Sequence, residues 1–120
     1  MIQWKTIDDD TAGQAIRDGE FPASVIGSRG KVALILTQGW CPQWTSLKGV
    51  LEETGGGVSD DIDVYVYIYD RSPLFYDFLD FKETVWKNDI IPYIRYYRDG
   101  MFLTESNFVP GDRFLAQFKD

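Results

Sequence analysis

The sequence predicts an α/β domain built on a mixed five-stranded sheet, and three observations lead to that prediction. Two short apolar runs, 32–37 ("VALILT") and 63–69 ("DVYVYIY"), are typical of strands covered on both faces of a parallel sheet. Between them, apolar residues recur at helical spacing. Near the end of the chain, Asp99-Gly100 separates two strand-like segments, which predicts an antiparallel hairpin.

The first half of the chain reads as alternating strands and helices, which implies parallel strands with right-handed crossovers. Residues 2–7 predict a strand, and Asp8 to Asp10 offer N-caps for a short helix that ends near Gly19. Residues 18–31 predict mostly loop. A second helix starts at Pro42, which suits a first helical turn, and "TGGG" at 54–57 ends it. Its apolar face comprises Trp44, Leu47, Val50 and Leu51.

The second half predicts a helix, a hairpin and a final helix. Ser72 caps the third helix, with Pro73 at its first position, and this helix stops before Asn88. Residues 93–97 and 101–105 form the hairpin strands. Asp112 caps the last helix, which buries Phe114, Leu115 and Phe118. The order is β-α-β-α-β-α-β-β-α, and 120 residues favour one domain spanning 1–120.

Composition excludes several functions. The net charge of −7 and the lack of a basic cluster argue against nucleic-acid and anionic-membrane partners. The N-terminus lacks the pattern of a signal peptide, and no apolar run could span a bilayer. One Cys excludes an intramolecular disulfide, and the absence of His removes the commonest metal ligand and general base. We therefore expect a cytoplasmic protein without metal or cofactor.

The stretch "LILTQGWCPQW" at 34–44 carries the strongest chemical signal. A buried strand ends near Gly39, and Cys41 follows directly before the helix that Pro42 starts. Unpaired N–H groups and the helix dipole at such a position stabilise a thiolate. The alternative is a small, inert, partly buried Cys, since free Cys is among the most buried residue types.

These motifs, in this order, resemble the thioredoxin family along essentially the whole chain. "WCPQW" lies where thioredoxins carry WCxxC, and "IIPYIRYYRDG" resembles their cis-proline, strand and turn. Asp70 and Gly111 match an Asp after the middle strand and a Gly before the last helix. The resemblance implies a three-layer α/β/α sandwich, a partly exposed nucleophile at Cys41 and a cis-proline at Pro92. It implies a substrate or partner groove formed by Trp40, Pro42, Trp44, Ile91 and Pro92.

The departures from that family pattern concern proton handling. Trp44 stands in place of the second, resolving Cys. The buried Asp and Lys that assist that thiol in the family map to Ile35 and Val66. All three groups are therefore absent together.

Two functional hypotheses follow. In the first, Cys41 works as a monothiol and needs glutathione or a partner's thiol for release. In the second, the chain is a redox-inactive module that recognises a partner protein in the groove by Pro92. A monomer is expected under both, and an intermolecular Cys41 disulfide would give a dimer.

Three further features have alternative readings. Trp44 either packs in the core beside Leu47 and Leu51 or shields the thiol. Arg95 interrupts an apolar strand, so it either reaches the sheet margin and pairs with a carboxylate such as Glu52 or Glu53, or anchors an anion near the groove. The stripe of Tyr65, Tyr67 and Tyr69 either packs against helices, with hydroxyls at their margins, or lines a ligand surface.

Overall fold

The computed structural model describes residues 1–55 and 60–118, in which five strands form one mixed sheet in the order β1-β3-β2-β4-β5. Strands β1, β3 and β2 run parallel, β4 runs antiparallel to β2, and β5 pairs antiparallel with β4. This confirms the predicted sheet with its C-terminal hairpin. The strands are β1 (Ile2–Thr6), β2 (Lys31–Thr37), β3 (Ile62–Ile68), β4 (Tyr93–Arg98) and β5 (Met101–Ser106).

Helices cover both faces of the sheet and complete an α/β/α sandwich. Helices α1 and α4 pack on one face, and α3 and α5 pack on the other. Across 1–55 and 60–118, no helix is long and apolar enough to cross a membrane. The helices are α1 (Asp9–Asp18), α2 (Ala23–Ile26), α3 (Pro42–Gly55), α4 (Phe75–Thr84) and α5 (Gly111–Ala116).

Two apolar cores lie on opposite faces of the sheet, because side chains alternate along each strand. On β3 and just after it, Tyr65, Tyr67 and Tyr69 pack into the core beneath α1 and α4. Val64 packs into the core beneath α3 and α5. Tyr67 Oη lies 2.9 Å from Ser72 Oγ, at the margin of the first core. The tyrosines therefore pack against helices with hydroxyls at their margins, as predicted.

The predicted helix caps and turns are correct at three places. Asp8 Oδ1 accepts a hydrogen bond of 2.8 Å from the Thr11 N–H, and Gly19 ends α1 with φ +83°. Asp99 and Gly100 both have positive φ, at 52° and 81°. Two successive positive φ values match the twist of the hairpin strands.

Elsewhere the predicted boundaries are wrong. Helix α4 begins at Phe75, because Ser72 Oγ accepts a 3.0 Å bond from the Leu74 N–H in a preceding turn instead of capping a helix. Helix α5 begins after Pro110, so Asp112 lies in its first turn and makes no cap. The segment 18–31 is mostly loop, as predicted, and also holds the short α2. Gly56 and Gly57 of the predicted stop signal lie outside the described residues.

The predicted partners of Arg95 are also wrong. Arg95 Nη2 pairs with Glu20 Oε1 at 3.0 Å. Because Ile94 and Tyr96 face the core beneath α3, Arg95 between them faces the opposite side of the sheet. Glu52 and Glu53 belong to α3, so they lie across the sheet from this guanidinium.

Candidate functional site

Cys41 lies at the junction of β2 and α3. Its N–H donates to the Gln38 carbonyl at 3.2 Å, and its own carbonyl accepts the Thr45 N–H at 3.3 Å. Cys41 therefore occupies the position before the first helical residue, Pro42. The residue is 4% exposed, in contrast to the partly exposed thiol expected from the resemblance. It is covered because Trp44 and Ile91 pack into the same apolar cluster.

The thiol faces the loop that precedes β4. Cys41 Sγ lies 3.9 Å from the Ile91 carbonyl oxygen, within the range for a weak S–H donor. The Ile91–Pro92 peptide bond is cis. Ile91 is half-buried and packs against both cores, whereas Pro92 is buried. The structure thus brings together Cys41, Trp44, Ile91 and Pro92 at one end of the sheet.

Trp40 and Pro42 occupy the outer side of the same turn. Trp40 is 66% exposed, and its indole Nε1 donates to Gln38 Oε1 at 2.6 Å. Gln38 Nε2 in turn lies 3.4 Å from Tyr69 Oη. Pro42 is also exposed. The Trp40 ring is therefore fixed by a hydrogen bond and faces solvent, next to the buried thiol of Cys41.

The turn before Cys41 is fixed by the residues that follow β3. The Gly39 N–H donates to Asp70 Oδ1 at 2.9 Å. A Cβ atom at Gly39 would lie 2.7 Å from Arg71 Nη2, closer than real contacts allow. Gly39 is therefore required for the guanidinium of Arg71 to lie against this turn.

Asn107, which the sequence analysis did not identify, holds the loop that carries Ile91. Its Nδ2 donates to the carbonyl oxygens of Ile90 and Pro92 at 3.1 and 3.0 Å. It also exchanges amide contacts of 3.3 Å with Asn88. No sequence pattern predicts that an Asn after a hairpin strand will hydrogen-bond to a loop 15 residues earlier.

Lys82 supports the same loop from α4. Its side chain is fully buried, and Nζ donates to the Asn88 carbonyl at 2.8 Å and lies 5.6 Å from the centre of the Tyr93 ring. Burial lowers the pKa of Lys82 to about 8, because a buried ammonium loses its hydration. The signal in the sequence is a Lys within the apolar pattern of that helix.

The surroundings of Cys41 offer no side chain for proton transfer within its buried cluster. Ile35 and Val66 are directly paired across β2 and β3, at the two positions where the resemblance implies an Asp and a Lys. Trp44, at the position where the resemblance implies a resolving Cys, is 7% exposed. The buried charged side chains among the described residues are Asp63, Lys82 and Arg95. Asp63 and Arg95 each lie between strand residues that face the Cys41 cluster, so they face the other side of the sheet, and Lys82 belongs to α4 on that other side.

The strand order and the helices on both faces of the sheet make this a thioredoxin-like fold. Similar solved structures have the same fold. No family model and no curated protein sequence matches the chain. A mutant thioredoxin from Halobacterium salinarum is 12% identical, covers 98% of this chain and 88% of its own, and superposes with a TM-score of 0.62. Oxidised thioredoxin from Plasmodium falciparum is 12% identical, with coverages of 98% and 96% and a TM-score of 0.60.

A third structure extends this comparison. It is described as that of a malarial protein, is 14% identical, covers 76% of this chain and 96% of its own, and has a TM-score of 0.58. At these identities the likeness concerns the fold. The chain is therefore a thioredoxin-like protein in its architecture.

Proposed function

We propose that this chain is a monothiol thiol–disulfide redox protein in which Cys41 exchanges a mixed disulfide and an external thiol releases it. One observation carries the proposal. Cys41 Sγ lies at the start of α3 and faces the Ile91 carbonyl beside the cis bond to Pro92. A helix N-terminus stabilises a thiolate, which is the form that attacks disulfides.

The reaction can be written for a protein that carries a glutathione mixed disulfide. The Cys41 thiolate attacks the glutathione sulfur, the old S–S bond breaks, and the protein thiolate leaves and takes a proton from water. A glutathione thiolate then attacks the glutathione sulfur on Cys41, which regenerates the Cys41 thiolate and forms glutathione disulfide. Release must come from outside, because Trp44 holds the resolving position and Cys41 is the only Cys in the sequence.

The groove for the bound partner runs between Trp40 and the Ile91–Pro92 backbone. Trp40 offers an exposed ring, and Asn107 holds the neighbouring carbonyls in place. This arrangement suits an extended peptide or glutathione that lies along the loop. A cytoplasmic location with glutathione as reductant fits this chemistry. In this proposal the working protein is a monomer, in which the Cys41 of one chain forms a mixed disulfide with glutathione.

Turnover of a glutathionylated peptide in the presence of glutathione tests the proposal. We expect release of the peptide thiol above the rate in buffer, with a glutathione adduct on Cys41 visible by mass spectrometry of the intact protein. Cys41→Ser is the matched control and should show neither. Turnover equal to that in buffer, with the wild-type thiol intact, would contradict the proposal.

A second function, a redox-inactive binding module, is favoured by a different observation. Cys41 is 4% exposed, whereas Trp40, Ile90 and Phe108 expose 66, 54 and 41% of their surfaces. Under this reading the partner contacts the apolar surface and the thiol takes no part. Affinity capture with Cys41→Ser and Trp40→Ser separates the two: a binding module keeps one defined partner in the first variant and loses it in the second.

A further inference from the structure

An apolar groove is lined by Trp44 but not by Cys41. It runs along the outer edge of the sheet, between β1 and β3 on one side and α3 on the other, with a volume of about 370 Å³. Trp4, Val66 and Ile68 contribute from the strands, and Trp44 contributes from the helix. This volume is at the lower end of the range for small-molecule sites.

The apolar character of the groove follows from local structure. Trp4 pairs with Val64, and Thr6 pairs with Val66, in the parallel register of β1 and β3. Their side chains share the face beneath α3, because alternate residues of a strand point to the same side. Trp4 is 38% exposed, so part of its indole ring is open to solvent. The position where the resemblance implies a Lys is Val66, which leaves this part of the groove without charge.

Two lysines, Lys5 and Lys48, border the groove. Lys48 follows Trp44 by one helical turn on α3, so the two side chains are neighbours along the helix surface. Among residues 1–55 and 60–118, Lys48 makes no ion pair or side-chain hydrogen bond. Lys5, which also borders the groove, is committed to Asp63 Oδ2 at 3.0 Å. In a chain with a net charge of −7, an unpaired Lys beside an apolar groove selects for an anionic group.

We propose that this groove binds a small amphipathic carboxylate, with its apolar body between Trp4 and Trp44 and its anionic group at Lys48. The apolar body removes the exposed indole surface of Trp4 from water, and the carboxylate gains a cation that no protein acid occupies. This ligand site is separate from the thiol, since Cys41 is not among the residues that line the groove. Its occupant contacts the residue that replaces the resolving Cys.

The four tryptophans provide the test, because each indole N–H gives its own signal in an ¹⁵N–¹H spectrum. Hexanoate is titrated into labelled protein at constant ionic strength, with sodium chloride as the salt control. We expect saturable shifts of the Trp4 and Trp44 indoles, a dissociation constant on the order of 1 mM, and little change at Trp40 and Trp86. Trp4→Phe, Trp40→Phe and Trp86→Phe assign three signals, and the fourth belongs to Trp44.

Two lysine variants test the charge. Lys48→Gln should weaken hexanoate binding about two- to fivefold, as expected for an exposed ion pair, and leave 1-hexanol binding unchanged. Lys87→Gln, which removes an exposed charge outside the groove, should change neither.

Four results would overturn the proposal: no saturable shift, equal shifts at all four indoles, a principal shift at Trp40, or equal affinity for hexanoate and 1-hexanol. Cys41→Ser should bind hexanoate as the wild type does, so this test is independent of the redox function.

Discussion

At position 95, a guanidinium group lies in the core between two aromatic rings. Its central carbon is 4.3 Å from the centre of the Trp86 ring and 4.2 Å from that of Phe102. Its N–H groups donate to Tyr93 and Tyr97 hydroxyls at 2.9 Å each, in addition to the ion pair with Glu20. A buried charge with this many partners is a structural element of the core.

Arg95→Met should therefore reduce the free energy of unfolding by about 3 kcal/mol, because the Glu20 carboxylate and two hydroxyls lose their cation. Urea unfolding followed by Trp fluorescence measures the loss. Arg113→Met, at an exposed position on α5, is the control and should change stability by no more than about 0.5 kcal/mol. A loss below about 1 kcal/mol for Arg95→Met would show that its partners are satisfied without it.

Sequence patterns located Cys41 and the proline loop, but they misplaced the partner of Arg95. A charged residue within an apolar strand indicates that this charge needs a partner. The alternation of side chains shows which face of the sheet the charge occupies only after the order of the strands is known. Glu20 is 75 residues away, in a segment predicted as loop. Pairings at that separation depend on topology, which a local pattern does not contain.

At the scale of elements, the loop between α4 and β4 is the part of the site that needs support. It carries Ile90, Ile91 and the cis bond, and its carbonyls are held by Asn107 from the end of β5 and by Lys82 from α4. The loop beside Cys41 is thus held from two sides, by the helix that precedes it and by a residue after the hairpin. The strands could be predicted because their apolar runs are periodic, whereas these side-chain clamps have no periodicity.

Asn107→Asp should loosen this loop, because the carboxylate has no N–H and faces two carbonyl oxygens. We expect a loss of about 1–3 kcal/mol in stability, faster amide exchange at Ile90 and Ile91, and slower mixed-disulfide formation at Cys41. The control is Gln14→Glu on the exposed face of α1, which also replaces an amide with a carboxylate and should have none of these effects. Unchanged exchange at Ile91 in Asn107→Asp would show that the loop is held by other contacts.

At the scale of the whole molecule, buried ionisable groups set the dependence of stability on pH. The pKa of Lys82 is about 8 in the folded state, because of burial, and about 10.4 in an unfolded chain. Between these values the unfolded state binds more protons, so stability rises with pH. Burial raises the pKa values of Tyr93 and Tyr96 to about 12, so the unfolded chain loses those protons first and stability falls above pH 10.

We therefore expect the free energy of unfolding to increase by about 2 kcal/mol between pH 7 and pH 9.5 and to decline at higher pH. Urea titrations at half-unit steps of pH measure this curve. Lys82→Met should abolish the rise and keep the decline, whereas Lys87→Met should keep both. A wild-type stability that is constant from pH 7 to pH 9.5 would mean that the pKa of Lys82 is the same in the folded and the unfolded state.

The central claim is that this fold activates Cys41 rather than merely covering it. The most direct test is the second-order rate constant for Cys41 with glutathione disulfide at pH 7, measured in folded protein and in the same protein unfolded in urea. Only the folded chain places Cys41 directly before α3 and beside the Ile91 carbonyl, so we predict a rate at least about threefold higher in the folded protein. The solvent control is free cysteine in the same buffers. A folded protein that reacts more slowly than the unfolded chain would contradict the redox function and leave the binding module as the account of this groove.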